Sequence, residues 1–394
     1  MTHKLLHIAP DEKFIDSAID LFESTTPGQH TFVILLPLGI GRPTLVKQVH
    51  RITCFHDQAD SLRGLVAVVA DYDAVVIHYL NGPAKRFISM CPTDTRLLWL
   101  AWGFDLYHPF PIFEASMFQS ETKKILREMA GGRFRPKVRE IKTLIKAQLF
   151  RLSVPFSSTI NADLRVVRRM HACATVLPDE WPIVRQLGFK GRFFRFNYGW
   201  VERLLPAKNP EIRVSGSNIL VGNSSTPTCN HVEIFEMLSK FDLGARKVIV
   251  PLSYGDLNYR PHILRRGREL LGTAFMPLEN FMPIADYMKL LESCGTVILN
   301  HHRQQAVGNI IASIHMGAKV FLNECNPCHA FFSRIGVRLF SLQRDRVQLS
   351  RFDEGLADHI VQHNRSCLRS EYSKEVSMQR TRSIVQYLFA QGGT

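Results

Sequence analysis

The sequence predicts an α/β protein made of two parallel α/β domains. Three observations carry this: strand-length apolar runs, helix-length segments between them, and a proline-bearing stretch that separates two such series. With 394 residues and 45% hydrophobic composition, the chain can bury two cores of ordinary domain size. In the first series KLLHIA (Lys4–Ala9), TFVILLP (Thr31–Pro37), DAVVIHY (Asp73–Tyr79) and RLLWLAW (Arg96–Trp102) are rich in Val, Ile and Leu, as strands covered on both faces are. Helices are expected around 11–24, 59–70 and 85–90. The second series follows Leu205–Pro210, the expected linker, and contains NILVGNS (Asn218–Ser224), KVIVPLSY (Lys247–Tyr254), TVILNHH (Thr296–His302) and AKVFLNE (Ala318–Glu324). The expected domains are therefore 1–205 and 206–394, the second with a helical tail.

Charge narrows the partners. Lys and Arg number 49 against 35 Asp and Glu, a net charge of +14, so an anionic partner is expected: nucleic acid, an anionic bilayer or a phosphorylated substrate. MTHKLLHIAP reads as a first buried strand rather than a signal peptide, and a cytoplasmic location follows as an expectation. No window approaches the roughly 18 to 20 apolar residues of a spanning helix, so membrane contact is expected to be peripheral. Between Lys123 and Arg169 lies a basic stretch that includes Lys124, Arg127, Arg133, Arg135, Lys137, Arg139, Lys142, Lys146 and Arg151. Ile141, Leu144, Ile145, Leu149, Phe150 and Leu152 recur there at helical spacing. An anionic bilayer surface and a solvated helix face fit that pattern equally. No nucleic-acid-binding signature accompanies the charge. The eight cysteines are scattered and read as free thiols. Cys325-x-x-Cys328 followed by His329 lacks the second ligand pair that a zinc site needs.

Ligands of open α/β sheets bind beyond the carboxyl ends of the strands, which singles out three loops. GNSSTPTCNH (Gly222–His231) offers amides and hydroxyls to an anion near a helix start at Asn230, although a ligand-free capped loop uses the same residues. RQQAVGN (Arg303–Asn309) combines the Arg303 charge with Gln304, Gln305 and Asn309 at a helix start. Gly308 there would permit close backbone approach to a diphosphate, and the plainer reading is an Asn309 N-cap with a solvated Arg303. WGFDLY (Trp102–Tyr107) places Asp105 after a strand, as a general base or as a cap. Glu324 is a further strand-end carboxylate, suited to sugar or ribose hydroxyls or to a salt bridge. His301 and His302 are adjacent on a strand end and point to opposite faces, so they do not chelate one metal together. Asp71-Tyr72-Asp73 has D-x-D spacing but precedes its strand. Metal-independent chemistry with no cofactor besides the substrate is expected.

Taken together, WGFDLY, ILVGNSSTPTCNH (Ile219–His231), VIVPLSYGDLNY (Val248–Tyr259) and the run from ADYMKLLESC through HHRQQAVGN to VFLNECNP resemble the bacterial 4-acetamido-4,6-dideoxy-D-galactosyltransferases, glycosyltransferase family 56. The resemblance spans roughly Arg96 to Phe332. It implies a GT-B transferase, two Rossmann-like domains facing across a cleft, that acts in enterobacterial common antigen or O-antigen (lipopolysaccharide) synthesis. It also implies a dTDP-sugar donor on the C-terminal domain and a polyprenyl-diphosphate-linked glycan acceptor on the N-terminal one, at the cytoplasmic face of the bacterial inner membrane. By motif match the donor residues would include Gly222, Asn223, Ser224, Asn230, Arg303, Gln304, Gln305, Gly308, Asn309, and Asn323 or Glu324. The chain departs from the family pattern just before Arg303 and near Asn309, beside the expected donor pocket, so another amino-dideoxy sugar fits as well. Two other classes remain as alternatives: a basic nucleic-acid-binding protein, supported by charge alone, and a sugar-nucleotide sensor of the same fold without turnover.

Overall fold

The computed structural model describes residues 3–107, 116–130, 158–205 and 211–390. These form two compact units. The first takes 3–107, 158–200 and 371–390, and the second takes 116–130, 201–205 and 211–370. This departs from a single division at 205/206. Of the proline stretch, 206–210 lies outside the described residues, as do Arg133 through Arg151 and the apolar positions Ile141 to Leu152 of the basic stretch.

In the first unit the strands are β1 (Leu5–Ala9), β2 (His30–Leu36), β3 (Ile52–His56), β4 (Ala74–His78), β5 (Leu97–Leu100), β6 (Ala172–Thr175) and β7 (Arg192–Arg195). They form one parallel sheet in the order β3-β2-β1-β4-β5-β6-β7. The second unit repeats the plan with β8 (Ile219–Val221), β9 (Val248–Pro251), β10 (Phe275–Leu278), β11 (Thr296–Leu299), β12 (Lys319–Leu322) and β13 (Phe340–Ser341), ordered β10-β9-β8-β11-β12-β13. Its pairings are likewise all parallel. Both sheets are doubly wound, with the strand order reversing between β1 and β4 and between β8 and β11. At such a reversal the loops on the two sides diverge and leave a crevice at the carboxyl ends.

The central strands coincide with the apolar runs because both their faces are covered: every residue of β1, β4, β5, β8, β9, β11 and β12 is buried. Sequence pattern did not single out β3, β6, β7, β10 and β13. Of these, the edges β3, β7 and β10 keep a partly solvated face and carry no continuous Val/Ile/Leu run, β13 is only two residues long, and β6 (ACAT) is buried throughout but built of small residues.

The C-terminal tail, expected on the second domain, belongs to the first unit. Helix Lys374–Ala390 puts Ile384, Val385 and Leu388 into the same core as Leu5, Ile15, Ile19 and Phe22. The Glu371 carboxylate braces this arrangement, accepting from Arg195 and Arg380 at 2.6 Å each. In the opposite direction, helix Ser120–Met129 packs into the second unit. There Ile125 joins the core of Ile219, Phe235 and Val250, and the Thr122 amide and hydroxyl donate to Glu233, each at 2.9 Å.

A polar string runs through the first core. Tyr198 Oη lies 2.9 Å from His78 Nδ1, His78 Nε2 lies 2.9 Å from His7 Nδ1, His7 Nε2 lies 3.1 Å from His30 Nδ1, and His30 Nε2 lies 2.8 Å from Thr26 Oγ1. Burial lowers all three imidazoles, His30 to about 4, His78 to about 3 and His7 well below its usual value, so all are neutral near pH 7. A neutral imidazole offers one donor and one acceptor, which is what a linear string requires. Among the described residues no helix is long and apolar enough to cross a membrane.

Candidate active site

The second switch point gathers most of the residues singled out by motif. Thr296 pairs with Ile219 and Ile298 with Val221, so the loops that follow β8 and β11 leave the same end of the sheet side by side. Gly222 begins the first loop at φ +70°, and a Cβ there would lie 2.8 Å from His231 Nε2, so only glycine lets the loop rest on that ring. Asn223 links three loops. Its Oδ1 accepts from Gln305 Nε2 at 2.8 Å, and its Nδ2 donates to the Tyr254 hydroxyl at 2.9 Å. Thr228 Oγ1 donates to Gln305 Oε1 at 2.7 Å, and Ser224 Oγ lies 2.8 Å from Thr226 Oγ1.

Behind these loops lies an amide network. Asn230, fully buried in the left-handed conformation at φ 48°, donates from Nδ2 to the Asn300 and Met117 carbonyls at 3.0 and 3.1 Å. Its Oδ1 accepts the Gln119 amide at 2.9 Å, so both ends of this side chain are engaged within the protein. Gln119 and Asn300 exchange side-chain amide hydrogen bonds at 3.1 and 3.2 Å, and Asn323 Nδ2 donates to Asn300 Oδ1 at 2.8 Å. His302 Nδ1 lies 2.6 Å from the Ser116 carbonyl, which only accepts. The proton therefore sits on Nδ1, and Nε2 accepts from Gln119 and Asn323 at 3.0 and 3.1 Å. His301 faces the opposite way, as adjacent strand-end residues do, with Nε2 3.3 Å from Cys229 Sγ. Burial, with Arg303 nearby, holds His301 well below its usual value, and burial takes His231 to about 3. Both rings are neutral.

Arg303, Gln304 and Gln305 are each only 8% exposed, which excludes a solvated Arg303. Its Nη1 donates to the Gln304 carbonyl at 2.9 Å. Ala306 follows at φ +59°, a strained setting for a residue with a Cβ, and opens helix Val307–Met316 with no side-chain cap. Helix Pro327–Arg334 is different: Asn326 Oδ1 caps it by accepting the Cys328 amide at 2.9 Å. The uncapped helix presents its positive end beside a buried guanidinium, an electrostatic setting for a diphosphate. Asn309 is not the N-cap. It lies in the first turn and donates to the Tyr287 hydroxyl at 2.9 Å. A Cβ on Gly308 would meet nothing nearer than Leu204 Cδ2 at 3.6 Å, so no protein atom demands glycine there.

Two carboxylates singled out from the sequence, Glu324 and Asp105, are held by protein partners of their own. Glu324 accepts from Ser341 Oγ at 2.6 Å and pairs with Arg344, which together hold its carboxyl below the usual range. Asp105, in the first unit, is 3% exposed, and its oxygens accept three N–H groups: Leu80 N at 2.7 Å, Trp99 Nε1 at 2.8 Å and Trp102 N at 2.7 Å. Those contacts tie Asp105 to the backbone and indole around it. Burial raises its carboxyl to about 7 in opposition to those donors. Asp105 holds the Tyr79–Leu80 turn, where Tyr79 sits at φ +72° and stacks on Trp102 with centroids 4.9 Å apart. Gln119, Asn300, Thr228 and Tyr254 were not singled out from sequence. Asn300 and Tyr254 end buried-strand runs and were findable by position, whereas Gln119 arrives from a remote segment with no local signal. Among the described residues no group of three or more His, Cys, Asp or Glu is placed to hold a metal ion.

Two doubly wound units of this topology define the GT-B fold of glycosyltransferases, and solved structures share it along nearly the whole chain. HepE of Anabaena, solved with UDP and glucose, is 10% identical at a TM-score of 0.65, covering 98% of this chain and 100% of that one. Sucrose-phosphate synthase of Thermosynechococcus elongatus is 9% identical at 0.67 over 98% and 100%. A glycosyltransferase of Rickettsia africae is 12% identical at 0.59 over 99% of each. Residues 196–372 match the model of the 4-alpha-L-fucosyltransferase family, glycosyl transferase group 56, the family whose motifs the sequence resembles. The chain is a glycosyltransferase by that match, which takes in the loops at Gly222 and Arg303 and stops short of the WGFDLY turn.

Proposed function

We propose that the protein transfers an amino-dideoxy sugar of the 4-acetamido-4,6-dideoxygalactose type from a dTDP-sugar to a saccharide on polyprenyl diphosphate. The setting is the cytoplasmic face of the bacterial inner membrane, in enterobacterial common antigen or O-antigen assembly. The observation that carries the donor side is the buried Arg303 beside the uncapped, strained start of helix Val307–Met316 at the second switch point. In this reading the diphosphate lies against that helix start. Arg303 and the helix dipole stabilise the charge that accumulates on the departing nucleoside diphosphate as the anomeric C–O bond breaks. The Asn223–Gln305–Thr228 linkage and the Gln119–Asn300–Asn323 network keep the two loops in register, so the donor groups are ordered before the nucleotide arrives. HepE was solved with UDP-glucose, which supports a nucleotide-sugar donor, and the family match supports sugar transfer.

Calorimetric titration with dTDP and UDP tests the reading. The wild type should prefer dTDP, and Arg303→Ala should weaken binding by about ten- to a hundredfold, the worth of a charge-assisted contact. Binding of neither nucleotide, or binding indifferent to Arg303, refutes it.

A further inference from the structure

The connection from β2 to β3 carries a surface that the donor chemistry does not use. Residues 37–48 cross it without regular structure. The Ile40 amide donates to the Pro37 carbonyl at 3.2 Å, with Gly39 at φ +87°, the form of a type II turn. Leu38 at the tip of that turn is 71% exposed, followed by Ile40 at 43% and Leu45 at 38%.

The loop is braced. Asp11 accepts the amides of Thr44, Leu45 and Val46 at 2.6, 2.9 and 2.9 Å, and Asp16 accepts those of Lys47 and Gln48 at 3.1 and 3.0 Å. Val46 plugs into the core at 1% exposure. Two carboxylates thus consume the backbone donors while the aliphatic side chains between the anchors stand in water. Folding on its own gives no reason for that display, since apolar side chains are more stable buried. Phe14 after β1 and Phe104 after β5, 42% and 45% exposed, are displayed at the same end of the sheet. Charge complements the apolar tip. Between Glu23 and Asp57 the sequence has no acidic residue and includes Arg42, Lys47 and Arg51. Arg51 pairs with Asp20 at 3.9 Å, Lys47 Nζ donates to the Thr44 carbonyl at 2.7 Å, the Asp11 and Asp16 carboxylates are taken up by the loop's own amides, and Lys13 lies over the Phe14 ring at 5.3 Å.

We propose that this loop seats the protein on an anionic phospholipid bilayer. Leu38 and Ile40 enter the boundary between headgroups and acyl chains, and Lys13, Arg42 and Lys47 pair with lipid phosphates. The inference deepens the proposed function and rests on its lipid-linked acceptor. It turns the carboxyl end of the first sheet toward the membrane and does not rely on the basic stretch 123–169.

Co-sedimentation of the full chain with phosphatidylcholine vesicles, with and without phosphatidylglycerol, tests it. The wild type should pellet with the anionic vesicles and be released by salt, and Leu38→Glu/Ile40→Glu should lower partitioning by about tenfold or more. Arg42→Glu/Lys47→Glu should abolish the preference for anionic lipid, and dTDP binding and the thermal midpoint should be unchanged in both variants. Wild-type partitioning retained by Leu38→Glu/Ile40→Glu overturns the proposal, as does a wild type that binds no vesicle. A lipid-free dimer dissolved by that same variant assigns the patch to a second copy and also overturns it. Vesicle binding without any nucleotide binding would refute the transferase reading while leaving the loop's assignment standing.

Discussion

Replacing Asp105 by alanine leaves the N–H groups of Leu80, Trp99 and Trp102 facing a buried space without an acceptor. Each unsatisfied donor costs about 1–3 kcal/mol, and relief of the desolvated carboxylate offsets part of the sum, so a net loss of about 3 kcal/mol is expected. For a unit of this size that lowers the thermal midpoint by about 6–12 °C. Asparagine keeps one oxygen and the shape of the side chain, so Asp105→Asn should lose about 1–2 kcal/mol. Linkage adds a second signature. The fold raises this acid from its usual value near 4 to about 7, so the folded state holds the proton more tightly than the unfolded chain. Stability from this group is fully present below about pH 4 and is lost as pH rises through about 7. The gap between wild type and Asp105→Ala should therefore narrow across that window, as read by thermal melts followed by circular dichroism at several pH values. If Asp105→Ala melts like the wild type while sugar transfer disappears, the framework role is wrong and the carboxylate belongs to the chemistry.

The three core imidazoles act with the opposite sign. Their folded values lie below the unfolded value near 6.5, so their stabilisation is present above that pH and is lost as pH falls toward about 4 and 3 for His30 and His78. His78→Gln should shallow the acid side of the wild-type midpoint-versus-pH curve, and an unchanged slope would contradict buried neutral rings. Gly308→Ala should be accepted by the fold, with a gain of up to about 1 kcal/mol in helix stability, because its Cβ meets only Leu204 at 3.6 Å. The same methyl should weaken dTDP binding at least several-fold in calorimetry if a diphosphate approaches that backbone, and unaltered affinity would place the nucleotide elsewhere.

Legibility in the sequence follows the burial of large aliphatic residues, and β6, buried throughout but built of small ones, escapes it. The β1, β4, β5, β8, β9, β11 and β12 runs announce themselves because strands covered on both faces admit little but apolar residues, whereas the edge strands Ile52–His56, Arg192–Arg195 and Phe275–Leu278 keep mixed compositions. The loops at Gly222 and Arg303 were readable because strand-end position and polar content coincide within a few residues. Gln119 was not readable. Its importance comes from where its helix docks, and an amphipathic helix specifies that it needs an apolar partner without naming one. The tail helix Lys374–Ala390 was assigned to the wrong domain for the same reason.

Asp105 marks where sequence reasoning stops. A carboxylate after a strand reads equally as base or brace from the sequence, and the three N–H groups that it braces come from positions 80, 99 and 102. Asp11 and Asp16 likewise acquire meaning only when the loop at residues 44–48 folds back on them. By itself the sequence determined the α/β class, the central strands, the strand-end loops and the family resemblance, since each is written in local composition and spacing. Only the tertiary structure decided which polar groups are consumed inside the protein, because a hydrogen-bond partner is chosen by spatial neighbours that the linear order keeps apart.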